Sequence, residues 1–236
     1  MLNGMKSRSA GKSLILFLMV NTIVVAQSFT AADVIGQVKF QSGSEESWSK
    51  VEEGSLLNTE AVVATGRNST VQLVGNDFNF ILKENSAVSI GSIKKLSLDE
   101  LLLALAMEDL INAPRKNGNG SSDNTAVYGT EESGEDFPDL NSGPFGIKRL
   151  NGAMQLANTG LKESAVVFAK ETFRKYPDTK SIPSYRIYFA NVLYEKGLYE
   201  EALEEFNEII KLDLNEDQQK NVKTALEDIK KILLSN

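Results

Sequence analysis

The sequence predicts an α+β multidomain chain: a small antiparallel β domain followed by a C-terminal set of α-helical hairpin repeats. Three observations predict it. Residues 33–93 hold short apolar runs separated by Gly, Asn, Asp and Ser. Residues 145–235 carry helical periodicity broken at four places. Between them, residues 114–144 carry no hydrophobic period at all. Short strands with regular turn signals indicate antiparallel pairing, and closely spaced helices indicate antiparallel neighbours.

The β zone reads as VIGQVKFQSG, AVVATGR, STVQLVG, FNFILKE and AVSIGS. Val71 and Leu73, then Phe78, Phe80 and Leu82, alternate with other residues, so each run has one apolar face. The segment 97–112, SLDELLLALAMEDLIN, reads as a helix. Ser97 with Glu100 three residues on forms a capping-box pattern, and Pro114 ends the run. Its broad apolar stripe predicts packing on a sheet. The β domain with this helix spans 33–113, and 114–144 is expected to be a disordered acidic linker. Residues 145–236 break at Asn158-Thr159-Gly160, Tyr176-Pro177-Asp178, Gly197 and Asp213–Asn215, which predicts about five helices.

The first 26 residues stand apart. Lys6, Arg8 and Lys12 precede an apolar run from Leu14 to Val25, and Val24-Val25-Ala26 offers small residues for cleavage. This is the layout of a signal peptide cleaved after Ala26. The run is too short to span a bilayer comfortably. A periplasmic or extracellular location is the expectation, with no membrane span after cleavage and a retained anchor as the alternative. Removing the leading +3 from the chain's −7 leaves −10. With no basic cluster left, nucleic acid is not an expected partner.

The chain has no cysteine and no histidine. Disulfides and thiolate nucleophiles are excluded, as are the commonest general base and the commonest metal ligand. No catalytic residue, metal site or cofactor is expected. Asp213-x-Asn215-x-Asp217 begins like a calcium loop, but Gln218 and Thr224 stand where Gly and Glu are needed. The acidic run Glu131–Asp139 lacks the ligand spacing, and Gly118-Asn119-Gly120 lacks the flanking strand and helix of a phosphate loop. Asn68-Ser69-Thr70 matches a glycosylation acceptor only as a tripeptide.

The helical zone repeats. GLYEEALEEFNEIIKL from Gly197 aligns with GLKESAVVFAKETFRKYP from Gly160 at an offset of 37 residues. Gly160 meets Gly197, Leu161 meets Leu198, Ala165 meets Ala202, and Ala169 meets Phe206. In the preceding helices Ala153 meets Ala190 and Leu156 meets Leu193. ANVLYEKGLYEEALEEFNEII resembles a tetratricopeptide repeat (TPR), with Ala190, Gly197, Tyr199, Ala202 and Phe206 at signature positions. The resemblance implies two repeats and a capping helix, Glu216–Leu234. It also implies a concave groove lined by the first helix of each unit, and places Leu150, Met154, Ile187, Asn191 and Tyr194 there as partner-binding residues. Phe189 and Tyr199 are expected in the core.

The β zone resembles a FecR-type domain through Val34, Gly36, Val38, Gly54, Thr65, Gly66, Ser69, Gly75, Leu82 and Ser86. Gly75-Asn76-Asp77 departs from that family's usual turn. The resemblance implies an extracytoplasmic β module. The functional expectation is a non-enzymatic scaffold of the cell envelope that binds a protein or peptide through the TPR-like groove and the FecR-like module. The alternatives are a membrane-anchored signalling protein and a protein that binds or hydrolyses cell-wall polysaccharide.

Overall fold

A computed structural model of the protein describes residues 28–43, 47–76, 78–112, 140 and 143–235. The predicted signal peptide and nearly all of the predicted linker lie outside the described residues. The fold is α+β, with two four-stranded antiparallel sheets and six α-helices among the described residues. The strands are β1 (Phe29–Ile35), β2 (Val38–Gln41), β3 (Ser49–Lys50), β4 (Leu56–Leu57), β5 (Val62–Thr65), β6 (Thr70–Val74), β7 (Asn79–Leu82) and β8 (Ala87–Ser89). One sheet has the order β4-β1-β6-β7 and the other β3-β2-β5-β8.

The alternation read from the sequence sets the inner faces. Val71 and Leu73 on β6 and Phe80 and Leu82 on β7 are buried, and they meet Val38, Val63 and Val88 of the second sheet in one core. The run VIGQVKFQSG is not one strand, however. Gly36 has φ +74°, turns the chain between β1 and β2, and so sends Val34 and Val38 to different sheets. A Cβ on Gly36 would sit 2.4 Å from the Ser69 hydroxyl, which itself accepts a hydrogen bond from the Gln37 amide at 2.8 Å. The corner needs glycine for its backbone angle and for its space.

Helix α1 (Leu98–Asn112) opens with the expected capping box: the Ser97 amide donates to Glu100 Oε2 at 2.8 Å and the Glu100 amide to Ser97 Oγ at 3.2 Å. The bonds that the Ser97 amide and hydroxyl donate to Glu100 Oε2, at 2.8 and 3.0 Å, hold that carboxyl below its ordinary pKa. The helix packs on another helix rather than on a sheet. Leu101 and Leu105 are buried in a cluster with Val166, and Glu108 pairs with Arg174 at 2.9 Å.

Five helices follow: α2 (Phe145–Asn158), α3 (Lys162–Lys175), α4 (Pro183–Glu195), α5 (Tyr199–Ile209) and α6 (Glu216–Ser235). The two aligned copies close in the same way. Gly160 and Gly197 have φ +90° and +77°, and the next amides return to the helix, Leu161 to Leu156 O at 2.9 Å and Leu198 to Leu193 O at 3.0 Å. These are left-handed C-terminal caps, and both require glycine. The paired small residues Ala153/Ala190 and Ala165/Ala202 are all buried where helices approach. Asn215 and Gln218 form a reciprocal cap at the start of α6, at 2.9 and 3.1 Å, so the calcium-like spacing there serves a helix end.

Helix α2 joins the two zones. Lys148, Asn151, Gly152 and Gln155 lie on one helical face against the edge strand β8 and its flanking turn. Lys148 Nζ donates to Leu140 O at 3.2 Å, and Asn151 Nδ2 donates to Asn85 O at 2.8 Å. Gln155 donates to Ser86 Oγ at 2.6 Å and accepts from the Lys83 amide at 2.8 Å. Burial pushes the Lys148 pKa down. A Cβ on Gly152 would stand 2.0 Å from the Ala87 carbonyl oxygen. Leu150, Ala153 and Leu156 then enter the same core as the sheets.

Within the helical zone, the carboxylate of Glu205 on α5 lies between Lys170 on α3, with which it forms a short ion pair, and Arg186 on α4 at 3.1 Å. Burial alone would raise the Glu205 pKa, but the two cations outweigh it and hold the group below the ordinary glutamate range. Arg149 is buried with its guanidinium carbon 4.3 Å from the centre of the Phe168 ring, and its Nε donates to Thr172 Oγ1 at 3.2 Å. Its Nη2 lies 3.4 Å from Glu171 without hydrogen-bonding geometry. Burial pushes the guanidinium pKa down, and the Glu171 charge opposes this.

Two outcomes are expected. Gly152→Val forces backbone apart on both sides, so urea unfolding should show a loss of about 3 kcal/mol, the upper end for overpacking; a loss under about 1 kcal/mol would contradict the close approach. Glu205→Gln should cost about 2 kcal/mol at neutral pH, as for charge-assisted hydrogen bonds lost in a half-buried site. Because the folded-state pKa of Glu205 lies below the ordinary 4.5, its contribution is complete above that value and is lost as pH falls through the folded pKa. The gap between variant and wild type should therefore narrow in acid below about 4.5.

Candidate partner-binding cleft

The outer face of α4 is read from its own sequence, PSYRIYFANVLYE. Ile187, Phe189, Ala190, Val192 and Leu193 are buried, while Tyr185, Tyr188, Asn191 and Tyr194 are half-buried. Two of these side chains tie α4 to α2. Tyr185 donates its hydroxyl to Asn151 Oδ1 at 2.6 Å, and Tyr188 to Asn158 Oδ1 at 2.9 Å. Burial raises the pKa of both phenols.

Asn158 is the last residue of α2, so beyond it the face of α4 has no helix to pair with. An open cleft of about 570 Å³ begins there. Its walls are Tyr188, Asn191, Val192, Tyr194 and Glu195 on one side and Ala157, Asn158 and Lys162 on the other. Tyr194 packs edge-on against Tyr199, with ring centres 5.5 Å apart. Lys162 reaches across to Glu195 at 2.6 Å, with both side chains well exposed. The hydrogen bond from Lys162 to Glu195 raises the lysine pKa. An exposed pair of this kind contributes little to stability and can part for an incoming group.

The Asn191 side-chain amide has no hydrogen-bond partner among the described residues. It carries two donors and an acceptor beside two tyrosine rings. That set matches what an extended polypeptide presents, a carbonyl and an amide beside a side chain. Among the described residues no group of three or more Asp and Glu is placed to hold a metal ion.

Of the five residues placed in a groove by sequence, the structure brings two together in the cleft, Asn191 and Tyr194. Leu150 is 0% exposed, inside the core shared with the sheets, because the face of α2 next to it lies on β8. Ile187, its equivalent one repeat on, is also buried, in the cluster that contains Leu101 and Leu105 of α1. Neither can touch a partner. Met154 is half-buried against the core and does not line the cleft. The sequence reading missed Tyr188, Asn158, Lys162 and Glu195 as cleft residues. Tyr188, Asn191 and Glu195 share the 3–4 residue spacing of one helix face, and that was the available signal. The opposing wall was not visible, because it depends on where α2 ends against α4. Phe189 is buried as expected, and Tyr199 is partly buried in its cluster.

Compared with known proteins, the chain matches no family model, no curated protein and no solved structure.

Asn191→Ala should change stability by less than about 0.5 kcal/mol, since the amide leaves no partner behind. Tyr188→Phe should cost about 1 kcal/mol through the lost bond to Asn158. Thermal unfolding of the two variants checks the contrast, and a larger loss for Asn191→Ala would show that the amide is occupied within the fold.

Proposed function

We propose that this is a non-enzymatic, extracytoplasmic scaffold of the cell envelope that binds a protein or peptide segment in the cleft along α4. The observation that carries the reading is the unpartnered Asn191 amide set between Tyr188 and Tyr194 in an open cleft. The cleft has the size of a ligand site, and its few polar groups would orient a chain running past the two rings. The TPR-like repeat supports a peptide as occupant, and the FecR-like strands with the leading apolar segment support an envelope location. No helix among the described residues is long and apolar enough to cross a membrane.

The β module and the helical hairpins share a core through α2, so a second contact on the sheets would act at a fixed offset from the cleft. A rigid pair of contacts avoids the ordering cost that a loose tether carries.

The test is recovery of envelope proteins by the intact chain and by an Asn191→Ala, Tyr194→Ala double variant. The reading expects a protein that the intact chain enriches and the variant loses at least tenfold, about 1.4 kcal/mol of binding. Equal recovery by both would remove the cleft from recognition. Retention of both on cell-wall polysaccharide, with no protein enriched, would favour the glycan-binding alternative.

A further inference from the structure

Helix α1 has two apolar faces, and among the described residues only one is used. Leu101 and Leu105 are buried on the α3 side. On the other side Leu102 is 37% exposed, Leu103 63%, Met107 55%, Leu110 77% and Ile111 61%, with exposed Ala106 between them. A helix that is apolar all round belongs in an interior. The chain that follows, residues 113–139, is rich in Gly, Ser, Asn and Asp and offers few side chains to cover such a face.

The exposed residues read Leu102-Leu103, Ala106-Met107, Leu110-Ile111. The pattern is the same in either direction about a point between Ala106 and Met107. A helix turned end for end about that point places Leu103 against Leu110 and brings Ala106 level with Met107, while Leu102 and Ile111, half a turn apart, flank the seam on its two edges. This is the self-complementarity of a two-fold interface, in which Leu103 of one copy meets Leu110 of the other and Leu110 of the first meets Leu103 of the second. The four-residue steps 102-106-110 and 103-107-111 form the ridges that interdigitate in the commonest helix-packing class. Ala106 lies at the crossing, where a small side chain lets backbones approach.

We infer that two copies of this chain pair through an antiparallel α1–α1 contact centred between Ala106 and Met107. Charge does not oppose it. Asp109 lies off the seam, more than a quarter turn from Leu103 and Leu110, and Glu108 is already engaged by Arg174 of its own α3. Covering Leu103, Ala106, Met107 and Leu110, with the near edges of Leu102 and Ile111, on both copies would remove on the order of 1,000 Å² from water, about the smallest area of a stable, specific interface. A weak dimer, dissociating at micromolar concentration, is the expected strength.

The chain from Gln27 onward holds every buried residue described, so it is the material for the test. Sedimentation equilibrium should give twice the chain mass, and Leu103→Glu with Leu110→Glu should halve it with unchanged circular dichroism, since both side chains are exposed. The protein has no cysteine of its own. Met107→Cys should therefore cross-link into a dimer on oxidation. Leu98→Cys should not, because its copies would stand roughly 25 Å apart along the helices at 1.5 Å per residue. A single-chain mass at high concentration overturns the inference. So does a dimer that survives the double Glu variant, and so does association seen only when residues 1–26 are retained, which would make the apolar leader the occupant of this face.

Discussion

At Gly152, helix α2 meets the edge strand β8 backbone to backbone, and the rest of the molecule is arranged around that contact. An edge strand leaves backbone donors and acceptors unpaired. Here Asn151 and Gln155 take up the carbonyl of Asn85, the hydroxyl of Ser86 and the amide of Lys83, while Lys148 reaches Leu140. Those side chains reach only because Gly152 lets the helix backbone come up to the Ala87 carbonyl. The approach also pushes Leu150, Ala153 and Leu156 into the core between the sheets, so polar matching and apolar burial come from one placement.

The helices then follow in order. Helix α3 pairs with α2 through the Gly160 turn, and α1 settles on α3 through Leu101, Leu105 and the Glu108–Arg174 pair. Charges fix the next layer. Glu205 bridges α3, α4 and α5 by holding Lys170 and Arg186 together. A half-buried cluster of this sort adds less to stability than its Coulomb attraction suggests, because desolvation opposes it. Its consequence is that α5 is tied to α3 and α4 through one carboxylate. The tyrosines of α4 do similar work at the surface, with Tyr185 and Tyr188 pinned to the amides of α2.

Among the described residues, the cleft and the outer face of α1 are left without a partner, for different reasons. The cleft exists because α2 ends at Asn158 while α4 runs on, which strands Asn191 beside two rings. The outer face of α1 exists because a single helix can pack only one side on α3. The first is small, polar and aromatic, and suits a chain passing through. The second is flat, aliphatic and two-fold symmetric in sequence, and suits its own copy.

Much of this was legible in the sequence. Two-residue alternation fixed the inner faces of β6 and β7, because a strand must turn Val71, Leu73, Phe80 and Leu82 the same way. Ser97 with Glu100, Gly160, Gly197 and the 37-residue offset marked helix ends and repeat equivalences, because these signals act within a few residues of chain. Neighbours across the fold were not legible. Spacing placed Leu150 and Ile187 on the same face of successive repeats, but it could not say that β8 holds α2 close while α1 lies near Ile187, so both residues are core. It showed that α1 is apolar and not that a helix would cover only half of it. Local backbone chemistry is written in adjacent residues, and the sequence by itself determined that much. Which face of a helix meets solvent depends on what distant segments bring against it, and only the packed chain decided that.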